Sequence, residues 1–111
     1  MDAFTLAELA AARAGTGRSY HEFLRRPALS AGLYVLAPGD PTDQEPHTED
    51  EVYVVLAGQA AIEVAGERRD VAAGSVVYVE RAVEHRFVDV VEELQVLVLF
   101  TPAEYDLATG P

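Results

Sequence analysis

The chain has 111 residues, half of them hydrophobic, which predicts one domain with its own core and leaves no room for a second. Its 19 acidic residues outnumber the 8 basic ones, and the net charge of −11 argues against nucleic acid and membrane surfaces as partners. No apolar run reaches the roughly 20 residues of a membrane span, and the N-terminus lacks a signal-peptide pattern, so we expect a cytoplasmic protein. The absence of cysteine leaves His, Asp and Glu as the strong metal ligands.

The first predicted element is a short helix at the N-terminus. Thr5 and Glu8 form a capping-box pattern, and the Ala- and Leu-rich body after them favours a helix for which Gly15 followed by Gly17 gives the stop. Its narrow apolar stripe consists of Leu6, Leu9 and Ala10. Such a stripe favours packing on the domain over binding a partner. Residues 18–26 fit either a helical turn or a strand, and we favour a short edge strand with His21 as a surface residue.

Short β-strands separated by turn residues follow. The predicted strands cover residues 31–37, 51–57, 60–64, 67–71, 76–79, 86–90 and 94–101. Turns are predicted between them, notably at Gly58-Gln59, Ala65-Gly66 and Glu92-Glu93. This spacing is typical of an all-β sandwich or barrel, of which a double-sheet jelly roll is one form. We therefore expect an N-terminal helix and edge segment over residues 1–30, a single barrel domain over 31–102 and a loose tail over 103–111.

The most informative polar residues lie in the stretch GDPTDQEPHTEDEVYVVLAG, from Gly39 to Gly58. His47 and Glu51 are four residues apart, and residues at even separations along an extended chain share a face. Imidazole and carboxylate ligands together suit zinc, iron, manganese, nickel or copper. The spacing therefore predicts half of a divalent metal site.

This stretch resembles the first motif of the cupin superfamily, which runs Gly, five residues, His-x-His, three or four residues, Glu, six residues and Gly. The residues at matching positions are Gly39, His47, Glu51 and Gly58. A second stretch, GERRDVAAGSVVYVERAVEHRFVD, is similar to the second cupin motif. Its matching residues are Gly66, Gly74 and His85. The resemblance implies the double-stranded β-helix (jelly-roll) barrel of the cupins and adds His85 to the metal ligands.

Three positions depart from the family pattern. Glu45 stands where the first His is expected, Ala72 where a Pro is usual, and Asp89 where an Asn often closes the second motif. A carboxylate at the Glu45 position can join the other three ligands in a mixed set around a hard cation, or it can point away.

The alternation of side chains along the motif strands predicts what surrounds the ligands. Steps of two from Glu51 and from His85 place Tyr53, Phe87 and Asp89 on the ligand face. Tyr53 and Phe87 then either line a pocket for a small-molecule ligand or belong to the core.

Two functions stay open at this point. The chain is either a metal-dependent enzyme, of the dioxygenase or isomerase type found among cupins, or a module that binds a small organic molecule without breaking a bond. Tyr53 is a poor base at its ordinary pKa near 10, so the sequence supplies no clear proton-transfer group.

We also expect a homodimer. The strands carry apolar residues on both faces, and only one face of each sheet can look into a common interior. Small cupins commonly pair, which the resemblance also implies.

Overall fold

The computed structural model describes residues 1–40 and 47–104. Within them the chain forms one helix and six strands, and the strands pair in antiparallel fashion. The elements are α1 (Leu6–Thr16), β1 (Tyr20–Arg26), β2 (Leu29–Leu36), β3 (Asp50–Val64), β4 (Glu67–Ala72), β5 (Val76–Val79) and β6 (His85–Thr101). Among these residues, no helix combines the length and the apolar character that crossing a bilayer requires. The edge strand predicted after the helix is confirmed as β1.

Helix α1 begins and ends as its sequence predicts. The side chain of Thr5 accepts a hydrogen bond from the backbone N–H of Glu8 at 3.1 Å, and Gly17 ends the helix in the left-handed conformation. The predicted apolar stripe is wrong in part, because Leu9 is buried while Leu6 is 55% exposed. Leu9 packs on the outer face of the barrel, beside Leu33 and Val35 of β2.

The long strands β3 and β6 form a ribbon on which the barrel is built. They pair along their whole length, from Asp50 opposite Thr101 to Val64 opposite His85. The first half of β3 pairs with β5 on its other side, and the second half pairs with β4. The other end of the sheet continues from β6 through β2 to β1. Side chains from both halves of the ribbon meet in one buried core, as expected for a jelly-roll barrel.

Two predicted turns are wrong because the ribbon bends there without ending. Residues 58–59 lie inside β3 and residues 92–93 lie inside β6, next to shifts in the register of the pair. Gly58 has a φ of 97°, and a Cβ built on it would lie 2.2 Å from the carbonyl oxygen of Glu93. Glycine is therefore required there for the close approach of β6.

The same irregularity overturns the predicted position of Asp89. Its φ of 49° breaks the alternation that starts at His85, and its side chain is exposed and ion-paired with Arg68 at 2.7 Å. Phe87, two residues earlier, remains in the core. Alternation therefore predicted the face correctly up to the bulge and failed beyond it.

The outer face of the sheet keeps an apolar area that α1 does not cover. Val52 is paired with Tyr78, and Val54 with Val76, across β3 and β5. Tyr78 is 60% exposed and Val76 is 67% exposed. Helix α1 thus covers the β2 side of this face and leaves the β5 side open.

The segment that follows β6 is attached to the barrel at its start. Ala103 is buried, and its N–H donates to the carbonyl of Pro27 at 3.4 Å. Glu104 donates its N–H to the hydroxyl oxygen of Ser30 at 2.8 Å. These two residues are therefore not loose, whereas residues 105–111 lie outside the described part, where a loose tail stays a prediction.

Candidate metal centre

The three ligands predicted from the two motifs come from different parts of the barrel. His47 lies just before β3, and its carbonyl accepts a hydrogen bond from Ala82 at 2.6 Å, which ties it to the loop before β6. Glu51 is the second residue of β3, and His85 is the first residue of β6. The bent ribbon therefore delivers one carboxylate and two imidazoles to one interior volume.

The geometry converges on a single carboxylate oxygen. Oε1 of Glu51 lies 3.0 Å from Nδ1 of His47 and 3.0 Å from Nε2 of His85. One ligand atom from each of the three residues lies within 4.8 Å of the other two. Glu51 and His85 are fully buried and His47 is nearly so, with its ring 4.7 Å from that of Phe100. The cluster is thus enclosed by the barrel wall.

These separations fit a metal ion with nitrogen and oxygen ligands. Bond lengths of about 2.1 Å at right angles place neighbouring ligand atoms about 3.0 Å apart. Nδ1 of His85 lies 2.8 Å from the carbonyl oxygen of Val83, which can only accept, so Nδ1 carries the proton. The lone pair of a neutral His85 then lies on Nε2 and points toward Glu51, as a metal ligand requires.

The pKa values describe an ionised cluster. Burial lowers the pKa of His47, but the neighbouring carboxylates of Glu104 and Glu51 outweigh it and raise the pKa to about 9. Burial raises the pKa of Glu51, whereas the two imidazoles and the Tyr53 hydroxyl lower it to a net value of about 2. The pKa of His85 is raised, because Glu51 and the Val83 carbonyl outweigh burial. Without a metal, the carboxylate is therefore charged at neutral pH and held between imidazoles.

Comparison with known proteins identifies the family. The model of the cupin domain family matches residues 32–101. The chain belongs to the cupin family. A relative of this cupin from Streptomyces coelicolor, the uncharacterized protein SCO3923, is 50% identical over 104 residues, covering 94% of this chain and 99% of that protein.

Solved structures share the fold of this cupin. The TT1209 protein from Thermus thermophilus superposes with a TM-score of 0.73 at 21% identity, covering 93% of this chain and 99% of that one. A cupin 2 conserved barrel domain protein from Salinispora arenicola has a TM-score of 0.68 at 24% identity, covering 91% and 88% of the two chains. At these identities the likeness shows the jelly-roll barrel and says nothing of the ligand.

Tyr53 and Phe87 are both fully buried in the core of this cupin. The sequence predicted that they either contact a small-molecule ligand or belong to the core. Their rings meet edge to face at 5.0 Å, and the Tyr53 ring lies 5.9 Å from that of His85. Burial and the charge of Glu51 raise the pKa of Tyr53, so its hydroxyl stays protonated at neutral pH. It can donate a hydrogen bond beside the cluster but cannot act as a base, and contact with a small-molecule ligand stays a prediction.

Two further residues complete the comparison with the sequence. Glu45, the predicted fourth ligand, lies outside the described residues, so its role stays a prediction. Glu104, which the sequence analysis placed in a loose tail, has its Oε2 atom 2.9 Å from Nε2 of His47. No spacing rule connects two residues 57 positions apart, and the buried Ala103 just before Glu104 falls out of phase with the buried even-numbered positions of β6.

Proposed function

We propose that this cupin holds one divalent transition metal ion in its barrel through Nδ1 of His47, Oε1 of Glu51 and Nε2 of His85. The observation that supports this most is the pair of 3.0 Å separations that meet at one buried carboxylate oxygen. Two imidazoles and one carboxylate suit iron, manganese, nickel, zinc or copper and leave coordination positions open. Such an ion, when bound, supplies Lewis acidity and positions for an exchangeable ligand.

The surrounding side chains define what reaches the open positions. Tyr53, Phe87 and Phe100 give the interior an aromatic wall that includes the Tyr53 hydroxyl as a donor, which suits a small organic molecule that carries an oxygen ligand atom. Glu51 is committed to the two imidazoles, and Tyr53 remains protonated. Because neither is a free base, we propose a metal centre that binds and orients a small molecule. Chemistry of the dioxygenase or isomerase type, with the ion as electrophile, is the enzymatic form of this proposal.

A metal-free binding module is the second candidate, and one observation favours it. The pKa of His47 is raised to about 9, which makes it an imidazolium between the carboxylates of Glu51 and Glu104 without any metal. The imidazolium then offsets one of the two carboxylate charges. A small ligand would then bind the barrel through hydrogen bonds alone.

Calorimetric titration of the chelator-treated, untagged protein distinguishes the two candidates. We expect Zn²⁺, Mn²⁺, Ni²⁺ or anaerobic Fe²⁺ to bind with one site per chain, and His47→Ala and His85→Ala to remove that site. His21→Ala is the matched control, because His21 lies in β1 outside the cluster and its loss should leave the site intact. The proposal is wrong if wild type binds none of these ions, or if the His47→Ala and His21→Ala variants bind them equally well.

A further inference from the structure

A carboxylate lies on the far side of the His47 ring from the proposed metal position. Oε2 of Glu104 is 2.9 Å from Nε2 of His47, whereas Nδ1 of the same ring faces Glu51. The side chains of His47 and Glu104 are 12% and 14% exposed, so water competes little for this contact. The imidazole is therefore held between an inner and an outer carboxylate.

The outer carboxylate is fixed through its own backbone. The N–H of Glu104 donates to the hydroxyl of Ser30, which is completely buried in β2. The carbonyl of Glu104 accepts a hydrogen bond from the guanidinium of Arg25 in β1 at 2.9 Å. The burial of Ala103 adds a third attachment. Glu104 thus reaches His47 from a segment anchored on the β1–β2 hairpin.

We propose that Glu104 is the positioning residue of the metal centre, because its carboxylate accepts the Nε2 proton of His47 and so reserves Nδ1 for the metal. This inference rests on the proposed function. An imidazole binds a metal through one nitrogen, and the hydrogen bond made by the other nitrogen sets the tautomer and the ring orientation. A half-turn of the ring would exchange Nδ1 with Cδ2 and Nε2 with Cε1, so it would lose both the contact with Glu104 and the nitrogen that faces Glu51.

The two histidines differ in this respect, which makes the inference testable. His85 is oriented by a neutral acceptor, the carbonyl of Val83 at 2.8 Å, and His47 by a charged one. Loss of an outer partner of this kind typically weakens metal binding about 10- to 100-fold. We therefore expect substitution of Glu104 to change the protonation pattern of His47 and to leave that of His85 unchanged.

The experiment combines zinc titration with long-range ¹H–¹⁵N correlation of the imidazole rings, which is tractable because the chain has three histidines. In zinc-loaded wild type, His47 should be protonated on Nε2 and bound through Nδ1. Glu104→Ala should weaken zinc binding about 10- to 100-fold and populate the other tautomer of His47. Glu104→Gln keeps the volume and an acceptor oxygen without the charge, so its affinity for zinc should lie between those of wild type and Glu104→Ala. Glu63→Gln is the control, because Glu63 pairs with Arg86 away from the cluster.

The outcomes separate the two proposals. If Glu104→Ala keeps wild-type affinity and the Nδ1-bound pattern, Glu104 positions nothing, and the metal site stands. If zinc binds wild type through Nε2 of His47, Glu104 likewise does not reserve Nδ1 for the metal, and the metal site stands. If wild type shows no zinc-dependent shift at either ligand histidine, the inference about Glu104 is wrong, and the metal site is wrong as well if Mn²⁺, Ni²⁺ and Fe²⁺ also fail to bind in the calorimetric titration. Should Glu104→Ala fail to fold by circular dichroism, Glu104→Gln decides by the same two measurements.

Discussion

Glu51→Gln in the metal-free protein tests the electrostatics of the cluster without involving any ion. The pKa of Glu51 is about 2 in the folded protein against an ordinary value of 4.5. At about 1.36 kcal/mol per unit, that difference stabilises the folded state by about 3 kcal/mol at pH 7. Because the same ion pairs raise the pKa of His47, the two shifts describe one energy and are not added.

The sign of the pH dependence follows from the lowered pKa. The contribution of Glu51 is fully present above the ordinary pKa of 4.5 and disappears as the pH falls through about 2, and linkage leaves roughly two-fifths of it at pH 3. The free energy of unfolding of wild type should therefore exceed that of Glu51→Gln by up to about 3 kcal/mol at pH 7, and by about half of that or less at pH 3.

Urea unfolding with chelator at both pH values measures this difference. The free energy of unfolding of Glu63→Gln should stay within about 1 kcal/mol of that of wild type at pH 7, because the ion pair of Glu63 with Arg86 is solvent-exposed. A Glu51→Gln variant as stable as wild type at pH 7, or a deficit that does not shrink on acidification, would show that the charge of Glu51 does not stabilise the fold.

Three further predictions follow from other features. Zinc affinity should rise as the pH increases from 6 to 9, since the proton on His47 competes with the ion up to its pKa of about 9, and calorimetry that shows a constant affinity over that range would contradict this. Gly32→Ala should lower the free energy of unfolding by about 1–3 kcal/mol, because a Cβ there would lie 2.2 Å from the Tyr20 ring. Gly15→Ala in α1, where a Cβ would meet nothing within 4 Å, should raise it by about 0.5–1 kcal/mol. Thermal unfolding measures both changes. We also propose that the open outer face beside Tyr78 pairs with a second copy, so light scattering should report about twice 12.0 kDa, and a monomeric mass would be inconsistent with it.

Local patterns in the sequence predicted the parts of the fold that depend on local rules. The N-cap at Thr5 and the strands beside the Ala65-Gly66 hairpin depend on neighbouring residues, and the structure contains them. The turn at Gly58 was wrong, because a glycine also permits close approach between strands within one bent ribbon. The sequence alone does not distinguish these two uses of glycine.

The candidate metal site also has a part that the sequence predicted and a part that it did not. The four-residue spacing correctly predicted that His47 and Glu51 lie together, although His47 precedes β3 and is held by its hydrogen bond with Ala82 rather than by the pleat of the strand. The likeness to the second motif added His85. Glu104 was missed because its approach to His47 depends on tertiary attachments to Ser30 and Arg25, which leave no periodic signal.

X-ray absorption at the metal edge of the zinc-loaded protein tests whether two imidazoles and one carboxylate hold one metal ion. We expect two imidazole ligands per zinc, with nitrogen and oxygen atoms at about 2.0–2.2 Å and one zinc per chain. The His47→Ala variant, if it retains any zinc, should show the scattering of at most one imidazole. A wild-type spectrum without imidazole scattering, or one that is identical in the variant, would contradict the account.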